Sequence, residues 1–132
     1  MQKMKTKKVI ALSLAIIILV MSLMMQASAA SINVSLTKND QWVSSLSMSA
    51  RQVQGSGSNS SESSHWVYFI FYYRRTTGED WCKDTKKYVK PGNSFNDLKS
   101  FKFNDYMLWC YQLNTTGQYK GSTATGSFWK KY

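Results

Sequence analysis

HWVYFIFYYRR, residues 65–75, carries six tryptophan, tyrosine and phenylalanine rings in one short run. Its odd positions are Val67, Phe69, Phe71 and Tyr73, and its even positions are Trp66, Tyr68, Ile70 and Tyr72. Tyrosine hydroxyls and the indole nitrogen favour contact with water, so the even face is the wetter one. A strand that is apolar on both faces is typical of the middle of a sheet. The run therefore predicts a central strand with its odd face in the core. Its even face is expected either to lie under a loop or to be exposed as an aromatic strip.

Outward from this run, the chain after residue 30 alternates apolar and polar residues and lacks a sustained helical periodicity. Turn-forming residues separate the alternating segments, as at residues 76–78, residues 104–105 and Pro91. Seven or eight short strands at this spacing predict the all-β class, as a small antiparallel β-sandwich. The other strands are predicted within residues 32–36, 42–53, 81–90, 95–103, 106–113 and 119–132.

Some segments predict how the sandwich is filled. Residues 42–53, WVSSLSMSARQV, place apolar side chains on one face and predict a single strand with one wet side. Residues 55–64, GSGSNSSESS, are small and polar, and they predict a mobile loop between two strands. Cys110 is expected to point away from the apolar side of its strand. Bulky rings are expected in the core, namely Trp42, Phe69, Phe71, Phe101, Phe103 and Trp109.

The first thirty residues have the pattern of an export signal. The positive region consists of Lys3, Lys5, Lys7 and Lys8. An apolar stretch over residues 9–25 follows, and then the small residues 27–29, Ala-Ser-Ala, of a cleavage site. This predicts a signal peptide at residues 1–30, cut after Ala29 or Ala30, and a secreted, extracellular domain at residues 31–132. A retained membrane anchor is the alternative, because the apolar stretch approaches the length that spans a bilayer.

Cys82 and Cys110 both follow the predicted leader. An even number of cysteines outside the cytoplasm predicts a disulfide between them. Two free thiols or half of a metal site are the alternatives. Two cysteines without a second histidine do not complete a tetrahedral zinc site, so no metal site is predicted.

Charge indicates the kind of partner. Four of the seventeen lysine and arginine residues lie in the leader, and the remaining thirteen against seven acidic residues leave a net charge of +6. A basic exported domain favours anionic surfaces such as wall polymers, anionic lipids or acidic glycans. The simpler interpretation is a soluble surface with a small excess of basic residues and no anionic partner. No nucleic-acid-binding signature is present, so nucleic acid is not an expected partner.

Candidate catalytic residues are few. His65 is the only histidine, and no spacing implies a partner for it, so a solvated surface histidine is expected. Glu79, Asp80 and Asp84 cluster after a turn and are expected to form a solvated tip. Phosphate-cradling glycine motifs and nucleophile-elbow motifs are absent from the sequence. The chain is therefore predicted to be no enzyme and to need no cofactor.

Aromatic and basic residues occur together at two places. Rings left outside the core stack on sugar faces or settle at membrane interfaces, and basic neighbours add affinity for an anionic envelope. This composition predicts a non-catalytic protein that binds a cell-envelope component or another protein. The partner is expected to be an anionic wall polymer, a glycan, a membrane surface or a protein. The predicted binding residues are Trp66, Tyr68, Tyr72, Arg74, Arg75, Trp129, Lys130 and Lys131.

The two ends of the predicted domain carry a family resemblance. SINVSLTKNDQWVSS at residues 31–45 and TATGSFWKKY at residues 123–132 resemble small secreted β-rich proteins of Gram-positive bacteria, most of which have no assigned function. More distantly, the size and the aromatic end look like lactococcin-type bacteriocins, although the histidines common in that group are missing. The resemblance implies an alternative function, a secreted bacteriocin or toxin acting on the envelope of related bacteria.

Overall fold

The computed structural model describes residues 30–115 and 119–131, so the predicted leader lies outside the described residues. No helix in this described part is long and apolar enough to cross a membrane. From Ser31 onward the chain forms one compact unit. The described residues of this unit form nine strands, which are β1 (Ile32–Leu36), β2 (Trp42–Ser44), β3 (Met48–Ala50), β4 (Val53–Asn59), β5 (Val67–Arg74), β6 (Cys82–Val89), β7 (Ser94–Lys99), β8 (Met107–Asn114) and β9 (Ala124–Lys130).

The strands form two antiparallel sheets. The smaller sheet has four strands in the order β1-β9-β4-β7. The larger sheet has five, in the order β2-β8-β5-β6, with β3 also paired to β8. The predicted all-β class with two antiparallel sheets is confirmed, with nine strands in place of seven or eight.

The core lies between the inner faces of the two sheets and is dominated by rings. Phe69 and Phe71 of β5 are fully buried, and so is Trp109 of β8. Phe71 reaches across to Phe128 of the smaller sheet, with ring centroids 6.1 Å apart. Tyr111 also contacts Phe128 at 5.6 Å. The prediction that the odd face of β5 is core, with Phe69, Phe71 and Trp109 buried, is confirmed.

Glycines of the smaller sheet face these rings. A Cβ atom on Gly57 would lie 2.4 Å from a ring carbon of Phe69, and one on Gly55 would lie 2.8 Å from Phe71. Both glycines belong to β4, which is hydrogen-bonded on either side to β9 and β7. The prediction of a mobile loop at residues 55–64 is therefore wrong over residues 55–59, because these glycines make room for the rings of the other sheet.

The predicted single strand over residues 42–53 is also wrong. It is divided into β2, β3 and the start of β4. Between β2 and β3 the side-chain oxygen of Ser45 accepts a hydrogen bond from the backbone N–H of Tyr111 at 2.9 Å. Val43, rather than Trp42, packs against the core. Trp42 is 56% exposed, which corrects its placement in the core.

The segment after β7 differs from its prediction as well. The strand ends at Lys99, and the backbone N–H of Phe101 donates to the carboxylate of Asp84 at 3.0 Å. Phe101 is 62% exposed, so its placement in the core is wrong. Phe103 is partly buried and packs against the core cluster.

The structure contradicts the predicted disulfide, because Cys82 and Cys110 are free thiols. Cys82 pairs with Tyr73 on one side of β5, and Cys110 pairs with Tyr72 on the other. Their strands are therefore two spacings apart, roughly 10 Å, whereas a disulfide joins Cα atoms roughly 4.4–6.8 Å apart. Successive residues of β5 also point to opposite faces, so the two thiols lie on opposite sides of the sheet. As predicted, Cys110 points away from the core side of its strand.

Candidate ligand-binding face

The outer face of the larger sheet collects rings from neighbouring strands. Because β5 alternates, Tyr68 and Tyr72 point outward when Phe69 and Phe71 point inward. Tyr68 lies opposite Tyr88 of β6. Trp66 precedes β5 and contacts Tyr88. We call this surface the aromatic face and define it by Trp66, Tyr68, Tyr72, Trp81, Lys83, Lys86 and Tyr88.

Three of these rings form a continuous stack. The Tyr68 and Tyr88 rings are nearly parallel, with an interplanar angle of 18° and centroids 4.1 Å apart. The Trp66 ring lies 4.6 Å from the Tyr88 ring on a tilted plane. Trp66 is 44% exposed and Tyr88 45%, so both rings present surface to solvent while their neighbours hold them in position. Such a stack is a preformed apolar platform with polar edges.

Cations lie against the rings at both ends of the face. The ammonium of Lys86 is 5.1 Å from the centroid of the Tyr68 ring. At the other end, the guanidinium carbon of Arg74 is 4.2 Å from the centroid of the Trp81 ring. These cation–π contacts hold the charges beside the rings. A ligand on this face would meet an apolar surface flanked by positive charge.

Two shallow cavities lie along the face and share Tyr72. One has a volume of about 210 Å³ and is lined by Tyr68, Ile70, Tyr72, Lys83, Lys86 and Asn114. The other has a volume of about 230 Å³ and is lined by Ser44, Ser45, Tyr72, Trp81, Cys110 and Gln112. The Tyr72 hydroxyl donates to the side-chain oxygen of Gln112 at 3.3 Å, which orients its ring between the cavities. Hydroxyl, amide and ammonium groups thus converge on a surface made of rings.

The floor of the aromatic face is dry, because Ile70 is 4% exposed and Cys110 is 6% exposed. Burial raises the pKa of the Tyr72 hydroxyl, and the nearby Cys110 thiol raises it further. Burial also raises the pKa of Cys110, from 9.0 to about 11, against a smaller opposing effect of the Arg74 charge. Both groups are therefore neutral at pH 7, and the positive charge comes from Lys83 and Lys86 of the face and from the neighbouring Arg74.

The predicted binding residues divide between two sheets. Trp66, Tyr68, Tyr72 and Arg74 lie on the larger sheet and contribute to the aromatic face or its edge. Arg75 follows β5, where its backbone N–H donates to the carboxylate of Glu79 at 3.2 Å.

The smaller sheet carries the remaining predicted binding residues at the C-terminal end of β9, namely Trp129, Lys130 and Lys131. Trp129 and Lys130 are the last residues of β9, and Lys131 follows that strand. The structure therefore does not bring the two predicted groups together on one surface.

The predicted binding residues do not include Tyr88, Lys83, Lys86 and Trp81, which the structure places on the aromatic face. Three of them lie on β6, CKDTKKYV, and face outward only because of its pairing with β5. That register includes a shift between Ile70 and Tyr72, which changes which lysines face the rings. The aromatic residue within a run of lysines is the one signal in the sequence that could have indicated them.

The candidate acid–base residues have structural contacts. The His65 ring is partly exposed at the surface and stacks on Tyr119 with ring centroids 4.4 Å apart. Asp84 binds the backbone of Phe101, as described above, and accepts a hydrogen bond from the Thr85 hydroxyl at 2.7 Å. Within residues 30–115 and 119–131, no three His, Cys, Asp or Glu side chains are grouped to hold a metal ion.

Comparison with protein-family models, with curated proteins and with solved structures finds no match. The resemblance to small secreted proteins of Gram-positive bacteria, and the more distant one to bacteriocins, stay predictions.

Proposed function

We propose that this chain is an exported, non-catalytic protein that binds a glycan of the cell envelope through the aromatic face. The observation that carries the proposal is the exposed stack of Trp66, Tyr88 and Tyr68 with Lys86 beside it. The N-terminal leader pattern and the basic charge of the predicted domain support export and an envelope location.

Stacked rings suit sugars because the axial C–H groups of a pyranose form an apolar surface that packs on an aromatic face. The sugar hydroxyls at the rim of such a ring need hydrogen-bonding partners. The two cavities beside the stack supply them from the Tyr72 hydroxyl, the Gln112 amide and the lysines. An extended polymer suits this arrangement better than a single sugar, because the two cavities follow one another along the face.

The proposal is tested by sedimentation of the processed chain, residues 31–132, with insoluble peptidoglycan from which the anionic polymers have been removed. We expect retention that persists when salt is raised, since screening weakens charge contacts but not ring stacking. Trp66→Ala should weaken binding by about fivefold, which corresponds to about 1 kcal/mol for one stacking contact. The double variant Trp66→Ala/Tyr88→Ala should lose retention.

Phe101→Ala is the matched control, because this ring is also exposed but contacts Phe103 rather than a ring of the stack. It should be retained like the unmodified protein. Equal retention of all the variants, or no retention of the unmodified protein, would exclude glycan binding by this face. Sedimentation of the protein only with cell walls that keep their anionic polymers, and only at low salt, would contradict the proposal. The binding would then be driven by charge.

A further inference from the structure

A second concave site lies at the end of β9, away from the aromatic face. Its cavity has a volume of about 320 Å³ and is lined by Ala50, Arg51, Lys102, Tyr106, Lys130 and Lys131. Four of these six residues are cationic and none carries a carboxylate. We call this site the basic pocket. It contains Lys130 and Lys131, two of the predicted binding residues that lie outside the aromatic face.

Backbone hydrogen bonds hold the segments that carry the cations. The carbonyl oxygen of Arg51 accepts from the N–H of Phe103, next to Lys102, at 3.0 Å. The carbonyl of Gln52 accepts from the N–H of Lys131, also at 3.0 Å. These bonds join three separate parts of the chain through two consecutive carbonyls. The positions from which the positive side chains extend are therefore fixed before any ligand binds.

The side chain of Gln52 and the residue after it reinforce the same junction. The Gln52 amide donates to the carbonyl of Ser100 at 2.9 Å. The backbone N–H of Val53 donates to the Ser100 hydroxyl at 2.9 Å, and the Val53 carbonyl accepts from the N–H of Ser100 at 3.0 Å. The segment leading to Lys102 is thus attached to the start of β4 by three hydrogen bonds.

The positive side chains of the pocket line one cavity. The guanidinium of Arg51 is 5.2 Å from the centroid of the Tyr106 ring, which holds it at the rim. Beside the pocket, the neighbouring Lys99 side chain lowers the pKa of Lys131, and burial adds a smaller effect in the same direction. Like charges held together in this way favour a multivalent anion.

We propose that the basic pocket binds a phosphoryl anion, through charge-assisted hydrogen bonds from Arg51, Lys102, Lys130 and Lys131. A phosphoryl group fits because it offers several acceptor oxygens around one centre, and because arginine binds such oxygens in pairs while lysine binds them as a point charge. Free phosphate esters and lipid headgroups both present this group. The site is independent of the glycan-binding proposal, since it shares no residue with the aromatic face.

The test is titration calorimetry of residues 31–132 with glycerol 3-phosphate and with inorganic pyrophosphate, and, as a separate arm, flotation with vesicles containing phosphatidylglycerol. We expect both soluble anions to bind, pyrophosphate more tightly, with affinity falling as salt rises. Binding of the soluble anions alone identifies a free phosphoryl ligand. Additional binding to the vesicles, lost in the same variant, identifies the headgroup as a source.

The variant is Lys102→Gln/Lys130→Gln/Lys131→Gln, and the matched control is Lys38→Gln/Lys90→Gln/Lys120→Gln, which removes the same number of charges from exposed positions elsewhere. Each lysine lost from the pocket should weaken binding by about fivefold, and the control should change it by less than about twofold. Circular dichroism verifies that both variants fold.

Equal weakening in the pocket variant and the control would overturn the proposal, because net charge alone would then explain the binding. Binding to vesicles without any binding of the soluble anions would also overturn it, because the pocket would then respond to the surface charge of a bilayer. Trp66→Ala should leave phosphate binding intact, so failure of this proposal and failure of the glycan proposal are distinguishable.

Discussion

β4 and β5 are each flanked by two strands of their own sheet, yet their sequences are opposite in character. β4 is VQGSGSN and β5 is VYFIFYYR. The inward positions of β4 include Gly55 and Gly57, and those of β5 include Phe69 and Phe71. The rings of one strand fill the space above the glycines of the other, so the two central strands complement each other in volume.

The outer faces of the two strands differ as well. Outside β4, a cavity of about 390 Å³ lies among small polar residues of the smaller sheet, including Ser56, Ser58 and Thr125. Outside β5, Ile70 is 4% exposed among the rings and lysines of the aromatic face. β5 therefore buries surface on both sides, whereas β4 buries its inner side. β5 therefore supplies the rings that the larger sheet packs around, and the glycines of β4 leave space for those rings.

Removal of a ring from β5 should have the largest effect. Phe69→Ala would leave a cavity above Gly57 that the glycine cannot fill, and it should lower the free energy of unfolding by about 3–5 kcal/mol. Urea denaturation followed by tryptophan fluorescence measures this change. Phe101→Ala, at an exposed ring, should change the stability by less than about 0.5 kcal/mol. Similar losses in the two variants would contradict the central role of β5.

Addition of a methyl group to β4 should have the next largest effect. A Cβ on Gly57 would lie 2.4 Å from Phe69 and 2.7 Å from Phe95, so neither ring can move away without displacing the core. Gly57→Ala should destabilise the protein by about 1–3 kcal/mol, measured by the same denaturation. Gly78→Ala is the control, because nothing lies within 4 Å of its Cβ position.

A double-mutant cycle tests whether the two strands are coupled in volume. In Gly57→Ala/Phe69→Leu the smaller leucine leaves room for the added methyl group. The combined loss of stability should then be smaller than the sum of the two single losses, by about 0.5–3 kcal/mol. Strictly additive losses would mean that the contact between Gly57 and Phe69 does not limit the packing.

This comparison also explains what the sequence predicts well. The signal of β5 lies in its own side chains, so its alternation, its core face and its exposed strip could be recognised without the structure. The same holds for β8, whose Met107, Trp109 and Leu113 face inward as expected. The sequence of β4 carries almost no pattern that predicts a strand, because two of its inward positions are glycines. Those glycines are explained only by the rings of β5 that lie against them.

Trp42 and Phe101 illustrate the same limit at the strand ends. Size and alternation alone predict that both rings lie in the core. In the structure β7 ends at Lys99, before Phe101. The predicted strand that begins at Trp42 is broken between β2 and β3, where Ser45 accepts a hydrogen bond from Tyr111. Breaks of this kind depend on hydrogen bonds to distant residues, which change the face that a ring occupies.

The aromatic face is partly predictable from the sequence for a related reason. The rings of β5 follow from the alternation of that strand, whereas the residues that β6 contributes depend on a pairing register that contains a shift.

The smallest effect concerns the outer side of β5, where Cys110 lies opposite Tyr72. Because burial raises the pKa of this thiol from 9.0 to about 11, the folded protein keeps a proton that the unfolded chain releases first. The unfolded state then binds fewer protons, so stability should fall as the pH rises from 8 to 9.5, by less than about 1 kcal/mol after solvent screening. Denaturation across this range in reducing buffer measures the slope. Cys110→Ala should flatten it. An unchanged slope in Cys110→Ala would mean that the Cys110 thiol is not buried on the outer side of β5. β4 and β5 would then differ only in the side chains that they place in the core.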